Sequence, residues 1–419
     1  MKSEPDSQSG SDFTRLWCSS FFSTAEISAV IKAEEASDRE TMEKYTAALV
    51  GLGRIGYSLG LDKKREQPAS HTMALLSNPR IQLAAGCDTD PIALSRWQNA
   101  NRKAVAYCDS ANLFARCHPD IVAVAVNESA HLKEAIDAIH ARPRLVILEK
   151  PVALNMEEAE KIRREAEKHH VSVLVNHERR FAEDFKAAKS YLKKIGSIQK
   201  IQAELCSSLC VYNPAEEKTG AYSLIHDGTH LVDAVLFFLE EDGTPSGIQR
   251  IPAAAKTAGG RGLLSRAQGL ADSAPQPHCK TVSTLLHSPV MTGVFRDEKN
   301  NVRQLSAHYS TEKCPDVTVS ISGRSRFFGF EIAITGTEGR ICIGNGYLKL
   351  YHREKSLLYS GFYSLLNDKS EPQPKKTLYF ANMVQNAVNF LDGKEPLRST
   401  LQTGINALAV LEEIKEKIQ

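Results

Sequence analysis

The chain has 419 residues, of which 42% are hydrophobic and 24% charged, with 52 Lys and Arg against 50 Asp and Glu. This composition is typical of a globular protein with two or three domains. The balanced charge argues against a nucleic-acid or polyanion partner, and no apolar run approaches the ~18 residues that a membrane span needs.

The nine cysteines are scattered and form no C-x-x-C pair. Neither a disulfide framework nor a structural zinc site is therefore predicted. The first residues are acidic and lack a long apolar stretch, which argues against a secretory signal. We expect a cytoplasmic location.

Residues 1–44 do not share the regular pattern of the rest of the chain and are predicted to be an N-terminal extension, partly disordered. From residue 45 to 177, short apolar strands alternate with helices, which predicts a doubly wound parallel sheet. The predicted strands lie at 45–50, 81–87, 105–108, 121–126, 145–148 and 171–175, and the predicted helices at 71–77, 91–101, 110–117, 130–140 and 156–169.

Past residue 177 this alternation stops. A helix at 182–195, a strand at 198–207 and a helix after Gly228 come first, and helices at 379–391 and 401–418 close the chain. Between them, strand-like runs succeed one another without helices, with tight turns such as Gly344-Asn345-Gly346. These runs lie at 303–309, 317–322, 328–335, 339–343 and 347–351.

The sequence therefore predicts an α/β protein in which an N-terminal Rossmann domain (45–177) precedes a C-terminal α+β domain (178–419). The second domain is expected to contain an open, mostly antiparallel sheet. Residues 243–283, rich in Ala, Gly, Ser and Pro, are predicted to be a flexible insertion in it.

The run Gly51-Leu52-Gly53-Arg54-Ile55-Gly56 lies directly after a predicted strand and before a predicted helix. In this G-x-G-x-x-G pattern the first glycine permits a tight turn and the second lets the backbone approach a pyrophosphate. The third lets helix and strand pack closely. The helix N-terminus attracts the phosphates, so the run predicts dinucleotide binding.

Asp88 ends the second predicted strand, where a carboxylate can accept hydrogen bonds from the adenine-ribose hydroxyls and would repel a 2′-phosphate. It lies 32 residues after Gly56 instead of the usual ~20, and the charged segment 61–70 accounts for the excess. NAD is therefore the expected cofactor. Because Arg96 could still reach a 2′-phosphate, NADP stays open.

Two further clusters carry candidate chemistry. Glu149-Lys150-Pro151 ends the fifth predicted strand, at the edge where such sheets bind ligands. There Lys150 is a candidate proton donor or hydrogen-bonding partner for a reacting oxygen, and a plain surface lysine is the alternative.

The second cluster runs from His226 to Asp233. If its helix begins near Gly228, His230 lies in the first turn as a candidate general acid/base, and Asp227 orients it or caps the helix. His226 and His230 could instead be packing residues or share a zinc ion. The glutamate of an H-E-x-x-H site is absent, and no helix clearly links the two histidines, so no metal is predicted.

Together these clusters resemble the glucose–fructose oxidoreductase / inositol dehydrogenase / rhizopine-catabolism (Gfo/Idh/MocA) family over about residues 45–419, outside the insertion. The matching elements are Gly51–Gly56, Pro119-Asp120-Ile121-Val122 leading to Asn127 and His131, Glu149-Lys150-Pro151, Arg180-Phe181, Gly228-x-His230-x-x-Asp233 and Gly336-Thr337-Glu338-Gly339.

The resemblance implies a Rossmann domain and then an α/β domain whose open sheet often forms dimer or tetramer contacts. It implies NAD(P)-dependent oxidation of a secondary alcohol of a sugar, cyclitol or nucleotide sugar, or reduction of the ketone. Lys150 would hold the reacting oxygen and His230 would act as general acid/base. Where the family often has an aspartate four residues before that histidine, this chain has His226, with Asp227 one residue later.

The resemblance also implies binding roles for other residues. Asn127 and His131 would line the nicotinamide side of the pocket, Glu149 would border the cofactor, and Arg179 or Arg180 would contact substrate unless held in ion pairs. Two other functions stay open. One is a non-catalytic nicotinamide-binding sensor or scaffold on the same fold, and the other is a zinc hydrolase.

Overall fold

The computed structural model describes residues 44–208, 221–241, 285–371 and 373–418, and the side chains of 221–226 are outside this description. The predicted extension (apart from Lys44), the predicted insertion at 243–283 and the side chain of His226 therefore lie outside the described residues.

Six parallel strands form the first sheet, in the spatial order third, second, first, fourth, fifth, sixth. The order reverses between the first and fourth strands, and at such a reversal an α/β sheet leaves a crevice for a ligand. The strands are β1 (Tyr45–Val50), β2 (Ile81–Cys87), β3 (Val105–Tyr107), β4 (Ile121–Val124), β5 (Leu145–Leu148) and β6 (Ser172–Val175).

Helices connect these strands and cover the sheet, so that β4 and β5 are buried at every residue. Four of the connecting helices begin at a side-chain cap, from Ser70, Asp90, Asp109 and Asn155, as expected for Ser, Asp and Asn. The helices are α1 (His71–Ser77), α2 (Pro91–Ala100), α3 (Ser110–Arg116), α4 (His131–His140) and α5 (Met156–His169).

The second sheet has eight strands, and every neighbouring pair is antiparallel except one. The strands are β7 (Ile198–Ser208), β8 (Val290–Arg296), β9 (Val302–Tyr309), β10 (Asp316–Ser322), β11 (Arg324–Gly336), β12 (Gly339–Gly344), β13 (Tyr347–Lys355) and β14 (Tyr363–Asn367). Their order is β14-β13-β12-β11-β7-β10-β9-β8, and β7 with β10 is the parallel pair. The predicted fold class, a Rossmann sheet and then a mostly antiparallel open sheet, is confirmed.

Four helices belong to the later part of the described chain: α6 (Glu183–Tyr191), α7 (Ala221–Leu239), α8 (Tyr379–Leu391) and α9 (Leu401–Lys417). Helices α6 and α7 pack on the second sheet, whereas Phe380 and Met383 of α8 lie in the core of the first. Helix α9 contributes Ile405 to the core of the first sheet and Leu411 to that of the second. The domain boundary at residues 177 and 178 stays a prediction.

The expected start of the helix around His230 was wrong. Helix α7 already includes Ala221 and does not begin near Gly228. Gly228 lies inside the helix, where a β-carbon on it would be only 2.9 Å from Ile321 Cδ1 and 3.0 Å from Leu411 Cδ2. The glycine therefore serves close packing and does not mark a helix start.

No helix among the described residues is both long and apolar enough to cross a membrane.

Candidate functional site

A cavity of about 910 Å³ opens at the carboxyl edge of the first sheet, beside the ends of β1 and β4, where the strand order reverses. Its size lies in the usual range for small-molecule sites, and its position is the one expected for a ligand in this topology. Residues from the glycine run, the end of β2, the loop after β4, the end of β5 and helix α7 line it.

The three glycines of the run play distinct steric roles. Gly51 has φ of +94°, and a β-carbon on it would lie 2.4 Å from the Ala125 carbonyl oxygen. A β-carbon on Gly56 would lie 2.0 Å from the Gly51 oxygen, so both glycines are required by the protein's own backbone. A β-carbon on Gly53 would meet nothing within 4 Å. Gly53 thus leaves open space beside the cavity, as a backbone does that must approach a pyrophosphate.

Asp88 joins this loop to the end of β2. Its Oδ2 accepts a hydrogen bond of 2.7 Å from the Leu52 N–H, and its Oδ1 accepts one of 2.8 Å from the Asp90 N–H. The half-buried carboxylate also lines the cavity, and its role in ribose binding stays a prediction. Arg96 is exposed and is not among the lining residues.

The glycine run does not lead directly into a helix, contrary to expectation. Residues 57–70 come first and include a short 3-10 helix at Ser58–Leu61. Helix α1 then docks onto the run: the N–H groups of His71 and Thr72 donate to the carbonyl oxygens of Ile55 and Gly56, at 3.1 and 2.9 Å. Residues 57–70 are therefore an insertion between the glycine run and its helix, which explains the long spacing from Gly56 to Asp88.

His71 is a buried site residue that sequence reasoning missed. Its Nε2 lies 2.6 Å from Glu149 Oε1, and Asn176 Nδ2 donates to the same oxygen at 2.7 Å. Burial alone would raise the pKa of Glu149, but the contacts with His71 and Asn176 lower it below its ordinary value. Glu149 is thus an ionised carboxylate held at the cavity wall, which Asn176 also lines. No local sequence pattern indicates that a histidine after a charged segment contacts a residue at the end of β5.

Lys150 and His230 line the same cavity. Lys150 lies just past β5 at the carboxyl edge, and its peptide bond to Pro151 is cis. His230 lies well inside α7, not in a first turn, and both residues are half-buried. Asn127, Arg54 and Ile55 line the cavity as well.

Thr89 and Ser110, which no sequence motif singled out, also line the cavity. Thr89 comes directly after Asp88, and Ser110 opens α3. Residues next to the carboxyl ends of parallel strands share one edge of the sheet, so this position was available from the predicted topology.

The structure places two of the predicted binding residues elsewhere. The first, His131, is buried, with Nδ1 2.6 Å from the Pro151 carbonyl oxygen and Nε2 3.2 Å from that of Val126, and it does not line the cavity. Burial lowers its pKa below the ordinary value. It therefore ties the loop after β4 to the backbone just beyond Lys150.

Arg180 is likewise held away from the cavity. Its Nε donates to both carboxylate oxygens of Asp233, at 2.8 and 2.9 Å, and its two terminal nitrogens donate to Glu240 at 2.7 and 2.9 Å. Burial would lower the pKa of the guanidinium, but the two carboxylates raise it above its ordinary value. The signal was present in the sequence, since Asp233 lies on α7 and Glu240 follows its last residue directly, two helical turns after Asp233.

The members of the second cluster differ in position. Asp227 accepts a hydrogen bond of 3.2 Å from Ser207 Oγ and is not a lining residue. One helix links the backbones of His226 and His230, contrary to expectation, but the side chain of His226 is outside the described residues. His177, also missed, is buried between Thr229 Oγ1 at 3.3 Å and Asp233 Oδ1 at 3.2 Å.

The open space at Gly53, the carboxylate of Asp88 and the crevice beside them fit a dinucleotide. Comparisons with known proteins agree. Residues 45–177 match the model of the Gfo/Idh/MocA family, described as an oxidoreductase family with an NAD-binding Rossmann fold.

Among curated proteins, the chain is 25% identical over 205 residues to the rhizopine catabolism protein MocA of Rhizobium meliloti. The match covers 48% of this chain and 60% of that relative, so the chain spans less than two thirds of its length.

Two solved structures share the fold at low sequence identity. A WlbA dehydrogenase from Bordetella pertussis, in complex with NADH and UDP-GlcNAcA, has a TM-score of 0.64 at 16% identity, covering 90% of this chain and 96% of that one. An oxidoreductase from Agrobacterium radiobacter, in complex with NAD+, L-tartaric acid and magnesium, has a TM-score of 0.62 at 16% identity, with coverages of 88% and 94%. The match to the Gfo/Idh/MocA family model, an oxidoreductase family with an NAD-binding Rossmann fold, thus covers residues 45–177, the first domain of the chain.

Proposed function

We propose that the protein is an NAD-dependent dehydrogenase or reductase acting on a secondary alcohol or ketone of a sugar, cyclitol or nucleotide sugar. The observation that carries the proposal is that Lys150 and His230 line one cavity together with Gly53 and Asp88. These residues come from distant parts of the chain. A proton-transferring pair beside a dinucleotide cradle is the arrangement that alcohol oxidation requires.

Each part of the cavity has a proposed task. The glycine run and Asp88 bind and orient the dinucleotide, and Asn127 and Glu149 border it. Bound NAD supplies hydride transfer at its nicotinamide ring. Lys150 holds the reacting oxygen of the substrate, and His230 takes up or returns the proton of the hydroxyl group.

Asp227 is proposed to act through His230, three residues away on α7. It accepts a hydrogen bond from Ser207 and lies outside the cavity lining, so it is a positioning residue in this scheme. His226 is a further candidate for substrate contact. Arg180 has no such role in the proposal because Asp233 and Glu240 occupy its guanidinium.

NAD is preferred over NADP in this proposal. Asp88 lines the cavity at the end of β2, where its charge repels a 2′-phosphate, and Arg96 does not line it. The substrate class rests on the relatives: the names of the matched proteins refer to rhizopine catabolism and to a complex with UDP-GlcNAcA.

A substrate panel tests the proposed activity. Polyols, aldoses, cyclitols and nucleotide sugars are assayed with NAD and NADP in parallel, in both reaction directions, by nicotinamide absorbance. With a turned-over substrate, Lys150→Ala is expected to abolish turnover while dinucleotide affinity changes little. The exposed Lys103 offers a matched control, and Lys103→Ala should retain full turnover.

Two other results would redirect the assignment. Turnover by Lys150→Ala comparable with the parent protein would remove Lys150 from the mechanism. NADH binding without turnover of any panel member would favour the non-catalytic sensor instead. Metal content after purification, together with loss of hydrolytic activity on chelation, tests the zinc hydrolase.

We also propose a cytoplasmic homo-oligomer, a dimer or tetramer. All six cysteines among the described residues are free thiols, which supports a reducing compartment. Large apolar side chains are exposed on the second sheet and on the hairpin between β13 and β14, where Leu357 is 95% and Phe362 67% exposed. Such a surface is more typical of an interface than of a monomer, and light scattering of the purified protein measures its mass.

A further inference from the structure

Two histidines and a glutamate converge far from the cavity. His140 is the last residue of α4, and Glu165 and His169 lie one turn apart near the end of α5. These helix ends lead into β5 and β6, so the cluster lies at the amino edge of the sheet, opposite the cavity. It belongs to no part of the proposed active site.

Both imidazole rings contact the same carboxylate oxygen of Glu165. His140 Nε2 lies 2.8 Å and His169 Nε2 lies 3.3 Å from Glu165 Oε2. The ring centroids of the two histidines are 4.9 Å apart, and the candidate ligand atoms all lie within 4.8 Å of one another. Around a tetrahedral zinc ion with bonds of about 2.0–2.2 Å, ligand atoms are spaced by about 3.3 Å. Small side-chain rotations would therefore admit an ion.

The chemistry of the cluster favours a borderline metal over calcium or magnesium. Imidazole nitrogens with one carboxylate are a zinc ligand set, whereas calcium and magnesium prefer all-oxygen ligands. Lys168 Nζ lies 3.1 and 3.2 Å from the Glu165 oxygens and would have to yield to the ion.

We propose that His140, Glu165 and His169 bind one Zn²⁺ ion, with water completing the coordination. The side chains of the three residues are 47%, 25% and 15% exposed, so the ion has a direct entry path and room for water. The ion would fasten the end of α4 to the end of α5. Since it binds the folded chain, it would raise the stability of these helix ends.

The test uses the full chain, stripped with a chelator and titrated with Zn²⁺ in competition with a chromophoric chelator. One zinc per chain is expected, and His140→Ala and His169→Ala should each weaken its affinity at least about 10-fold, since even residues behind the ligands cost about 10–100-fold. The exposed His118 provides the matched control, and His118→Ala should bind like the parent protein. The melting temperature should rise with Zn²⁺ in the parent and control but not in the two ligand variants.

Two results would overturn the proposal. One is the lack of saturable Zn²⁺ binding by the parent chain. The other is binding that survives both ligand substitutions, which would place the zinc elsewhere on the chain. Because the variants alter side chains remote from the cavity, dehydrogenase turnover is not needed as a readout.

Discussion

Replacing Gly53 with alanine should separate dinucleotide binding from folding. The backbone of Gly53 is outside the left-handed region, and a β-carbon on it would meet no protein atom within 4 Å. The free energy of unfolding should therefore change by less than about 0.5 kcal/mol, or rise by about 0.4–1 kcal/mol because alanine restricts the unfolded chain. Only a bound ligand would encounter the added methyl group.

The expected loss of affinity comes from the same geometry. If the pyrophosphate approaches the Gly53 backbone, one extra methyl group should cost about 1–3 kcal/mol, as overpacking does in a protein core. This corresponds to about 5- to 150-fold weaker NAD binding. Isothermal titration with NADH measures the affinity, and urea denaturation of the unliganded protein measures the stability.

Gly56→Ala is the contrasting control. Its β-carbon would lie 2.0 Å from the Gly51 carbonyl oxygen, so this variant should lose stability even without ligand. If Gly53→Ala binds NADH with the parent affinity, the cofactor does not lie against this loop and the assignment of the cradle is refuted. A stability loss in Gly53→Ala equal to that of Gly56→Ala would refute the steric reasoning.

Three further outcomes are expected. Asp88→Ala should weaken NAD binding by about 1.5–3 kcal/mol, the range for hydrogen bonds to a charged group, and should reduce the preference for NAD over NADP. Titrations with both dinucleotides measure this, and equal affinities of the parent and the variant would contradict the proposed contact with the ribose. Burial, and then the charges of Arg180 and Lys150, lower the pKa of His177 to about 3. Because the unfolded chain takes up this proton below about pH 6.5, the free energy of unfolding measured with urea should fall by about 1.4 kcal/mol for each unit by which the pH falls from about 6.5 towards 3. His177→Gln should lose this contribution, and an unchanged slope in that variant would be inconsistent with a buried neutral imidazole. Arg180→Ala should cost about 3–5 kcal/mol because Asp233 is left buried without its partner, and a loss below about 1 kcal/mol in the same assay would show that the pair is dispensable.

The sequence predicted the first sheet well because each buried strand is a short apolar run between helices. Helices α1, α5 and α8 and strands β1, β2 and β5 have the predicted bounds. Strand β14 escaped prediction because it is exposed throughout and carries no alternating buried face. Strand β8 has no regular alternation either.

The candidate site was predictable where function depends on the chain's local pattern. The glycine run and Asp88 occupy the ends of neighbouring strands, and the fold brings them together by rule. Residues whose roles depend on distant partners were not predictable in this way. His71 opens helix α1, whereas its partner Glu149 follows β5. Arg180 pairs with Asp233, which lies 53 residues further along the chain on α7.

Helix α7 shows how a glycine can be misinterpreted. Gly228 after Asp227 looks like a helix start, since aspartate caps helices and glycine is a poor interior residue. The structure uses the missing side chain to bring the helix against Ile321 and Leu411. Tertiary packing outweighed local propensity, and His230 consequently reaches the cavity from the middle of the helix.

The meeting of Lys150 and His230 at the nicotinamide end of bound NAD is the central claim of the proposed mechanism. A crystal structure of the complex with NAD+ tests this claim directly. We predict the pyrophosphate against Gly53, the adenine ribose at Asp88 and the nicotinamide ring beside the Lys150 and His230 side chains. A nicotinamide ring turned away from both side chains, or a dinucleotide bound elsewhere, would contradict the proposed mechanism.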